Sequence, residues 1–406
     1  MAHQIGDTKE VPVQQIDVYT DTRDILAHAK RQAEERRYRD FPIFDVDSHI
    51  IETMNWHEVA EYIEDPVIRD NALDFYKNKG GAPAYGLNTN PGMWYQDIGG
   101  RIPHDSDRRE TVEKSDGERN LVLIRRALES IGIDYMVVFP TAMLHVGMHP
   151  QLDMEVVLSR AFNRWLVDHI LKADDRLKSM LYLPFSNPEA SIKMVEEFAG
   201  EPGVIGFMVT SVRNQPVQAN PYMKLYATLQ ERGLPIAFHS GYYWQEPVLT
   251  QFSRFVGMHT VGFVLWNIVH LVNWVLHGIP ERFPRLKVIW IESGLAWVPF
   301  MIQRLDHEYL LRTSEAPALK RLPSEYIREM FFSAQPLEKY SLNALEFTFK
   351  MINAESQLLY ASDWPHQDFD LPSTIYDLPF LSEGAKRNIL GGNALKLFNL
   401  DNPKGK

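Results

Sequence analysis

Short apolar runs rich in β-branched and aromatic residues recur along the chain. They are FPIFDVDSH (41–49), DYMVVFPT (134–141), KSMLYLPF (178–185), VIGFMVTS (204–211), PIAFHSG (235–241), KVIWIESG (287–294), MFFSAQ (330–335) and LLYASDW (358–364). Each reads as a buried strand. Between them lie stretches whose apolar positions return with the 3.6-residue period of a helix: 120–132, 154–173, 188–200, 221–233, 261–277 and 296–312. Strand then helix, repeated about eight times, predicts parallel βαβ units. With this much chain to spend, closure into a (β/α)8 TIM barrel over 41–400 is the economical solution.

Two regions depart from that pattern. Residues 1–40 are polar and charged with a helical middle (TRDILAHAKRQAEERRYRD), and are expected to form an N-terminal arm outside the barrel or across a partner subunit. Residues 50–119 make an oversized connection after the first strand that holds Trp56, Trp94, Tyr95, Arg101 and His104. A connection that long is usually an active-site lid or binding loop, and its aromatic content argues against disorder.

Composition narrows the partners. A net charge of -11 leaves no basic stripe to displace the counterions of a nucleic acid. The absence of cysteine removes disulfides, thiolate nucleophiles and Cys-ligated zinc, so any metal must sit on His, Asp and Glu. The first twenty residues lack a basic region followed by an apolar core, so they do not read as a signal peptide, and a cytoplasmic location is expected. The apolar stretch 261–279 is interrupted by Asn267, His270, Asn273 and His277. It lies between two barrel strands, which favours a buried barrel helix or a subunit-interface helix over a membrane span.

Ligand-type side chains gather at the predicted strand ends. Residues two apart on a strand share a face, so Asp47 and His49 can offer a carboxylate and an imidazole to one cation. His239 closes the fifth strand and Asp363 follows the eighth. In a barrel all of these fall at the C-terminal face, where such folds do their chemistry. The bland reading of an Asp-x-His pair is a cap beside a satisfied core histidine; four such residues at strand ends of one face point instead to a divalent metal.

The ordered set DVDSH, GIDYMVVFPT, AFNRWLVDHILKADDRLKSMLYLPFSNPEAS, FHSG, ERFPRLKVIWIESGLAWVP and YASDWPHQD resembles the amidohydrolase-related family, in the branch that includes aminocarboxymuconate-semialdehyde decarboxylase and hydroxybenzoate-type decarboxylases. The resemblance runs over about residues 41 to 395. It implies a barrel with one divalent metal held by Asp47, His49, His239 and Asp363, a small-molecule substrate, and a homodimer or larger homo-oligomer. Asp47 stands where many relatives have the first His of a His-x-His pair, and an oxygen-rich ligand set favours Zn, Mn or Fe. Where the decarboxylases place a catalytic His after strand six, this chain has Glu292. A carboxylate there binds metal or works as a general base, and with Glu52 it raises the prospect of a second ion. His366 and Asp368 either orient Asp363 or stabilise the turn after Pro365. Arg101, His104 and His145 sit on loops at the same face and are candidates for an anionic substrate group, although solvation is the commoner fate of such residues.

A metal that activates water or polarises a carbonyl suits hydrolysis of an amide, ester, lactone or thioester. With the strand-six His missing, hydrolysis is the leading expectation, with Asp363, Glu292 and His366 as the catalytic groups. The alternative is non-oxidative decarboxylation of an unsaturated or aromatic acid. A third reading is a metal-binding protein without catalysis.

Overall fold

The computed structural model describes residues 22–79, 112–113, 117–149, 151–210, 216–243, 246–366 and 368–405. Eight parallel strands follow one another around the molecule in sequence order: β1 Phe44–Ile50, β2 Tyr135–Pro140, β3 Leu177–Tyr182, β4 Val204–Thr210, β5 Ile236–His239, β6 Val288–Ile291, β7 Phe331–Ser333 and β8 Leu358–Leu359. This is the expected α/β barrel. Six of the eight strands lie inside the predicted runs, β1 overruns its run by Ile50 and β3 begins one residue early at Leu177, and most strands are shorter at their C-terminal ends.

Strand eight shows why. Only Leu358 and Leu359 join the ladder with β7, because the backbone beyond them turns away and reaches a left-handed conformation at Asp363, φ 60°. The barrel then closes on β1 through single contacts. Val46 N donates to Tyr360 O at 3.0 Å, Asp363 N to Asp47 O at 2.7 Å and His49 N to Trp364 O at 2.7 Å.

On the outside run α1 Thr22–Glu35, α2 Trp56–Glu61, α3 Pro66–Lys79, α4 Arg119–Ile131, α5 Leu152–His169, α6 Pro188–Phe198, α7 Met223–Arg232, α8 Phe255–Leu276, α9 Ile279–Arg282, α10 Trp297–Leu311, α11 Pro323–Ile327 and α12 Leu342–Met351. Local chemistry sets their ends. The Glu118 side chain accepts from Asn120 N and Leu121 N at the start of α4, and Gly132 takes the left-handed conformation that stops it. Between those caps Leu121, Ile124, Leu128 and Ile131 form the buried stripe. Asn187 caps α6 in the same way, with Pro188 at its first position.

The first part of the long insertion is core, not cover. Trp56 is fully buried and its Nε1 donates to Ala72 O at 3.3 Å, while Val59 and Ala60 bury the same face of α2 against α5. Trp94, Tyr95 and most of the expected lid lie outside the described residues. The described part of the arm, α1, packs on α4 through Ile25, Leu26 and Ala29, and Arg36 grips Asp377 with two bonds. By length and composition α8 is apolar enough to cross a membrane. In the fold it lays Leu271, Trp274 and Val275 on the barrel, while Val264, Ile268 and Val272 are only partly buried.

Strand parity aims the site. Phe238 points outward, stacking on Trp290 at 4.8 Å and meeting Trp274 edge-on at 5.6 Å. His239, the next residue, therefore points inward. Phe139 also points inward and lies against both His49 and His239, at 6.1 and 4.9 Å between ring centres.

Candidate metal centre

Strand β1 is buried along its whole length, so Asp47 and His49 are taken entirely out of water. The Nδ1 of His49 lies 2.8 Å from Pro140 O, and that of His239 lies 2.8 Å from Ser240 O. A ring nitrogen facing a carbonyl must carry the hydrogen, which leaves the Nε2 of each neutral ring as a lone pair. Both lone pairs face carboxylates. His49 Nε2 is 3.4 Å from Asp47 Oδ1 and 3.2 Å from Asp363 Oδ1, and His239 Nε2 is 3.4 Å from Asp47 Oδ1.

Both oxygens of Asp47 and both Nε2 atoms are buried with no hydrogen-bond partner among the described residues. Buried polar atoms are almost always satisfied, and here acceptors face acceptors. A cation resolves that conflict. The ligand-type atoms of Asp47, His49 and His239, and those of His49, Asp363 and His366, each lie within 4.8 Å of one another. The His/Asp cluster at the barrel mouth is therefore built as a divalent-cation site.

Protons compete for it. Burial opposes a charged imidazole, but the carboxylates of Asp363 and Asp47 outweigh it and hold His49 well above its ordinary value. His239 is raised in the same way, chiefly by Asp47 against burial. Burial likewise opposes the Asp47 carboxylate, yet the imidazoles of His239 and His49 keep it below the usual range. A metal and a proton seek the same lone pairs, so acid weakens metal binding here.

Asp363 is held from two sides. Its Oδ1 meets His366 Nδ1 at 2.9 Å, and Gln335 Nε2 donates to its Oδ2 at 3.3 Å. The His366 ring stacks on His49 at 4.2 Å and places Nε2 3.2 Å from Thr141 Oγ1. Asp368 enters through its backbone, whose oxygen also accepts from Gln335 Nε2. Among the described residues other than glycine, positive φ occurs at Arg37, Glu292, Asn353, Asp363 and Asn399. Arg37 and Asn353 flank short helices and Asn399 ends one. The other two are the carboxylates at the mouth, where such strain usually serves function.

Glu292 sits behind the cluster. Its N–H donates to Ser333 Oγ at 2.9 Å and its Oε2 lies 3.5 Å from the rear nitrogen of His239, outside both groups of converging ligand atoms. Glu52 is occupied elsewhere. Both of its oxygens accept backbone N–H groups, from Thr141 at 2.9 Å and Met143 at 2.5 Å, and burial pushes it up to about 7. The structure thus brings Asp47, His49, His239, Asp363 and His366 together and sets Glu292 one step back. His145 is partly buried on the turn after β2, with Tyr242 at 6.2 Å between ring centres. Arg101 and His104 lie outside the described residues.

Sequence reasoning passed over Gln335, because a neutral amide is not a ligand type. It also passed over Thr210, whose buried Oγ1 has no partner among the described residues and which pairs in register with His239. Register alone would have found it.

The profile of the amidohydrolase family matches residues 126–400, more than half of the chain. Gamma-resorcylate decarboxylase of Polaromonas sp. is 25% identical over 60% of this chain and 76% of its own length. The 2-amino-3-carboxymuconate-6-semialdehyde decarboxylase of Dictyostelium discoideum is 24% identical over 59% of this chain and 66% of its own. Among solved structures, a dihydroxybenzoic acid decarboxylase of Polaromonas sp., with bound manganese and the inhibitor 2-nitroresorcinol, superposes with a TM-score of 0.61 at 17% identity, covering 88% of this chain and 97% of that one.

These relatives overturn hydrolysis as the leading expectation, since both curated relatives are decarboxylases. The expectation treated the missing strand-six His as the loss of the acid. The structure shows another imidazole in the site, that of His366, bonded to Asp363.

Proposed function

The chain belongs to the amidohydrolase family, and from that premise we propose that it is a metal-dependent, non-oxidative carboxy-lyase acting on an aromatic or other unsaturated carboxylic acid. The observation that carries this reading is the Asp363–His366 pair, a carboxylate and an imidazole 2.9 Å apart beside the convergent lone pairs of His49 and His239.

Asp47, His49, His239 and Asp363 would hold one ion, with Mn(II) the first to test and Zn(II) and Fe(II) the alternatives. When bound, such an ion fixes an anionic substrate and stabilises negative charge on its oxygens. The remaining work falls to the chain. His49 and His239 are kept in one tautomer by Pro140 O and Ser240 O, and Glu292 flanks the rear nitrogen of His239. The Asp363–His366 pair holds the transferable proton, and Thr141 Oγ1 touches the far nitrogen of His366, on the return path.

The balance is simple. A proton from this pair goes to the carbon that bears the carboxylate. The bond from that carbon to the carboxylate then breaks, its electron pair returns to the ring or conjugated system, and carbon dioxide leaves. No oxidant is required. The substrate must have an electron-rich carbon to accept the proton, which is why an aromatic or conjugated acid fits and a simple aliphatic acid does not.

The test is a panel of hydroxylated aromatic and conjugated acids beside a panel of esters, lactones and amides, run with Mn(II)-loaded protein in D2O. Carbon dioxide release with one deuterium at the vacated carbon is the expected result. Turnover of the esters or amides alone would sink the proposal.

A further inference from the structure

Asp45 lies two residues before Asp47 on β1 and takes no part in the chemistry above. It is fully buried, as is Ser362. Its Oδ1 accepts the N–H of Asp47 at 3.1 Å and the N–H of Ser362 at 2.8 Å, and its Oδ2 accepts the Ser362 hydroxyl. The Ser362 oxygen in turn accepts the N–H of Trp364 at 3.0 Å. One carboxylate therefore grips backbone on both sides of the barrel seam. On one side it holds Asp47 itself, and on the other Ser362, whose hydroxyl oxygen in turn holds Trp364 beyond Asp363.

The location explains why a clamp is needed. His239 ends a strand with an unbroken register on both sides: Ile236 to His239 pair with Phe207 to Thr210 of β4 and with Val288 to Ile291 of β6. Such a ladder fixes a side chain without help. At the seam β8 has two residues, the pairing of β1 with β2 shifts register between Asp45 and Ser48, and Asp363 is left-handed. Backbone there has freedom that a ladder would have removed. A buried carboxylate is costly to keep unless it is well hydrogen-bonded, and an apolar residue would fill this space at less cost if packing were all that mattered.

We propose that Asp45 is a positioning residue for the metal centre, holding Asp47 and Asp363 at the separation at which both can face one cation. Partners that orient metal ligands typically change affinity ten- to hundredfold when removed, and Asp45 belongs in that range. The inference rests on the metal reading of the cluster.

The test uses Mn(II) alone, with the free ion counted by its EPR signal and the bound ion by its spectrum, on the full chain. Asp45→Ala should raise the Kd for Mn(II) at least about tenfold and broaden the bound spectrum while far-UV circular dichroism stays that of the parent. Asp45→Asn keeps the oxygen that receives both N–H groups. Ser362 can then turn its hydrogen toward Asp47 O, already 3.5 Å away, so this variant should stay within about threefold of the parent. An Ala variant with parental Kd overturns the proposal. So does an Asn variant as weak as Ala, because charge and not the clamp would then be responsible. Should the Ala variant fail to fold, Ser362→Ala removes only the hydroxyl arm and must still weaken Mn(II) binding measurably; parental affinity there overturns the proposal equally. Failure of the metal reading looks different, since the parent protein itself would take up no Mn(II).

Discussion

The two ends of the barrel treat charge in opposite ways. At the end where the strands begin, carboxylates are matched by cations. Asp174, before β3, receives Arg176 through both its side chain and its backbone N–H, and Arg125 from α4. Arg321 grips Glu329 with two bonds and Glu281 pairs with Lys320. At the end where the strands finish, Asp47, Glu52 and Asp363 are wholly buried with no Lys or Arg bonded to them among the described residues. Stability is built at the first end, and at the second some of it is surrendered to keep lone pairs and carboxylates poised for a cation and a substrate.

The largest effect that can break this comparison lies at the mouth. His239→Ala removes an inward lone pair without touching the floor, and should weaken Mn(II) binding by more than the roughly hundredfold that loss of an outer partner causes. Turnover should vanish with it. Retention of a full metal equivalent in this variant, measured by elemental analysis after dialysis, would show that the convergent atoms are not the site.

Next comes the proton. His366→Asn leaves Asp47, His49, His239 and Asp363 in place, so metal content should persist while kcat drops by about 10²–10⁴, the range for loss of a general acid-base group. If kcat is unchanged and metal is lost instead, His366 is a ligand and the transferable proton sits elsewhere. Glu292→Gln sharpens the same point: because Glu292 stands behind His239, it should lower kcat less than His366→Asn and leave one metal equivalent.

A floor variant should do the reverse. Asp174→Ala forfeits charge-assisted bonds to two partly exposed arginines, which costs about 1–2 kcal/mol of unfolding free energy after allowance for solvent screening. Metal affinity and kcat should not move. Denaturant titration beside an activity assay checks both halves, and an activity loss larger than the stability loss explains would couple the two ends.

The division was partly legible in the sequence. Asp47, His49, His239 and Asp363 were visible because ligand chemistry restricts the residue type and strand parity restricts the spacing. The strands were visible because β-branched and aromatic runs alternate with helical periods. What escaped are roles that ordinary residues take only through the backbone's path. Leu358 to Trp364 reads as one strand, yet it leaves the ladder after Leu359. Glu52 reads as a spare ligand, yet it is spent on two backbone N–H groups beyond β2. Trp56 reads as lid, yet its indole is bonded into a helical pair. The roles of Gln335 and Asp45 depend on partners far along the chain, since Gln335 bonds Asp363 from beyond β7 and Asp45 bonds Ser362 across the seam.

The smallest expected effect is also the cleanest discriminator, because it has opposite signs at the two ends. The Arg176 guanidinium, helped by Arg125 and opposed by burial, holds Asp174 below the usual carboxylate range. A depressed carboxylate contributes stability that is present above its unfolded value and is lost as pH falls below about 4. Glu52 runs the other way. Burial outweighs its two backbone donors and raises it from 4.5 to about 7, so its contribution is whole below pH 4.5 and is lost as pH rises through about 7. In metal-free protein Asp174→Asn should therefore flatten the acid side of a plot of Tm against pH, and Glu52→Gln should flatten the stretch between pH 5 and 8. Each variant should leave the other's limb as steep as in the parent. If Glu52→Gln leaves the neutral limb unchanged, its carboxyl is not the group that titrates there, and the mouth is less strained by buried charge than its geometry indicates.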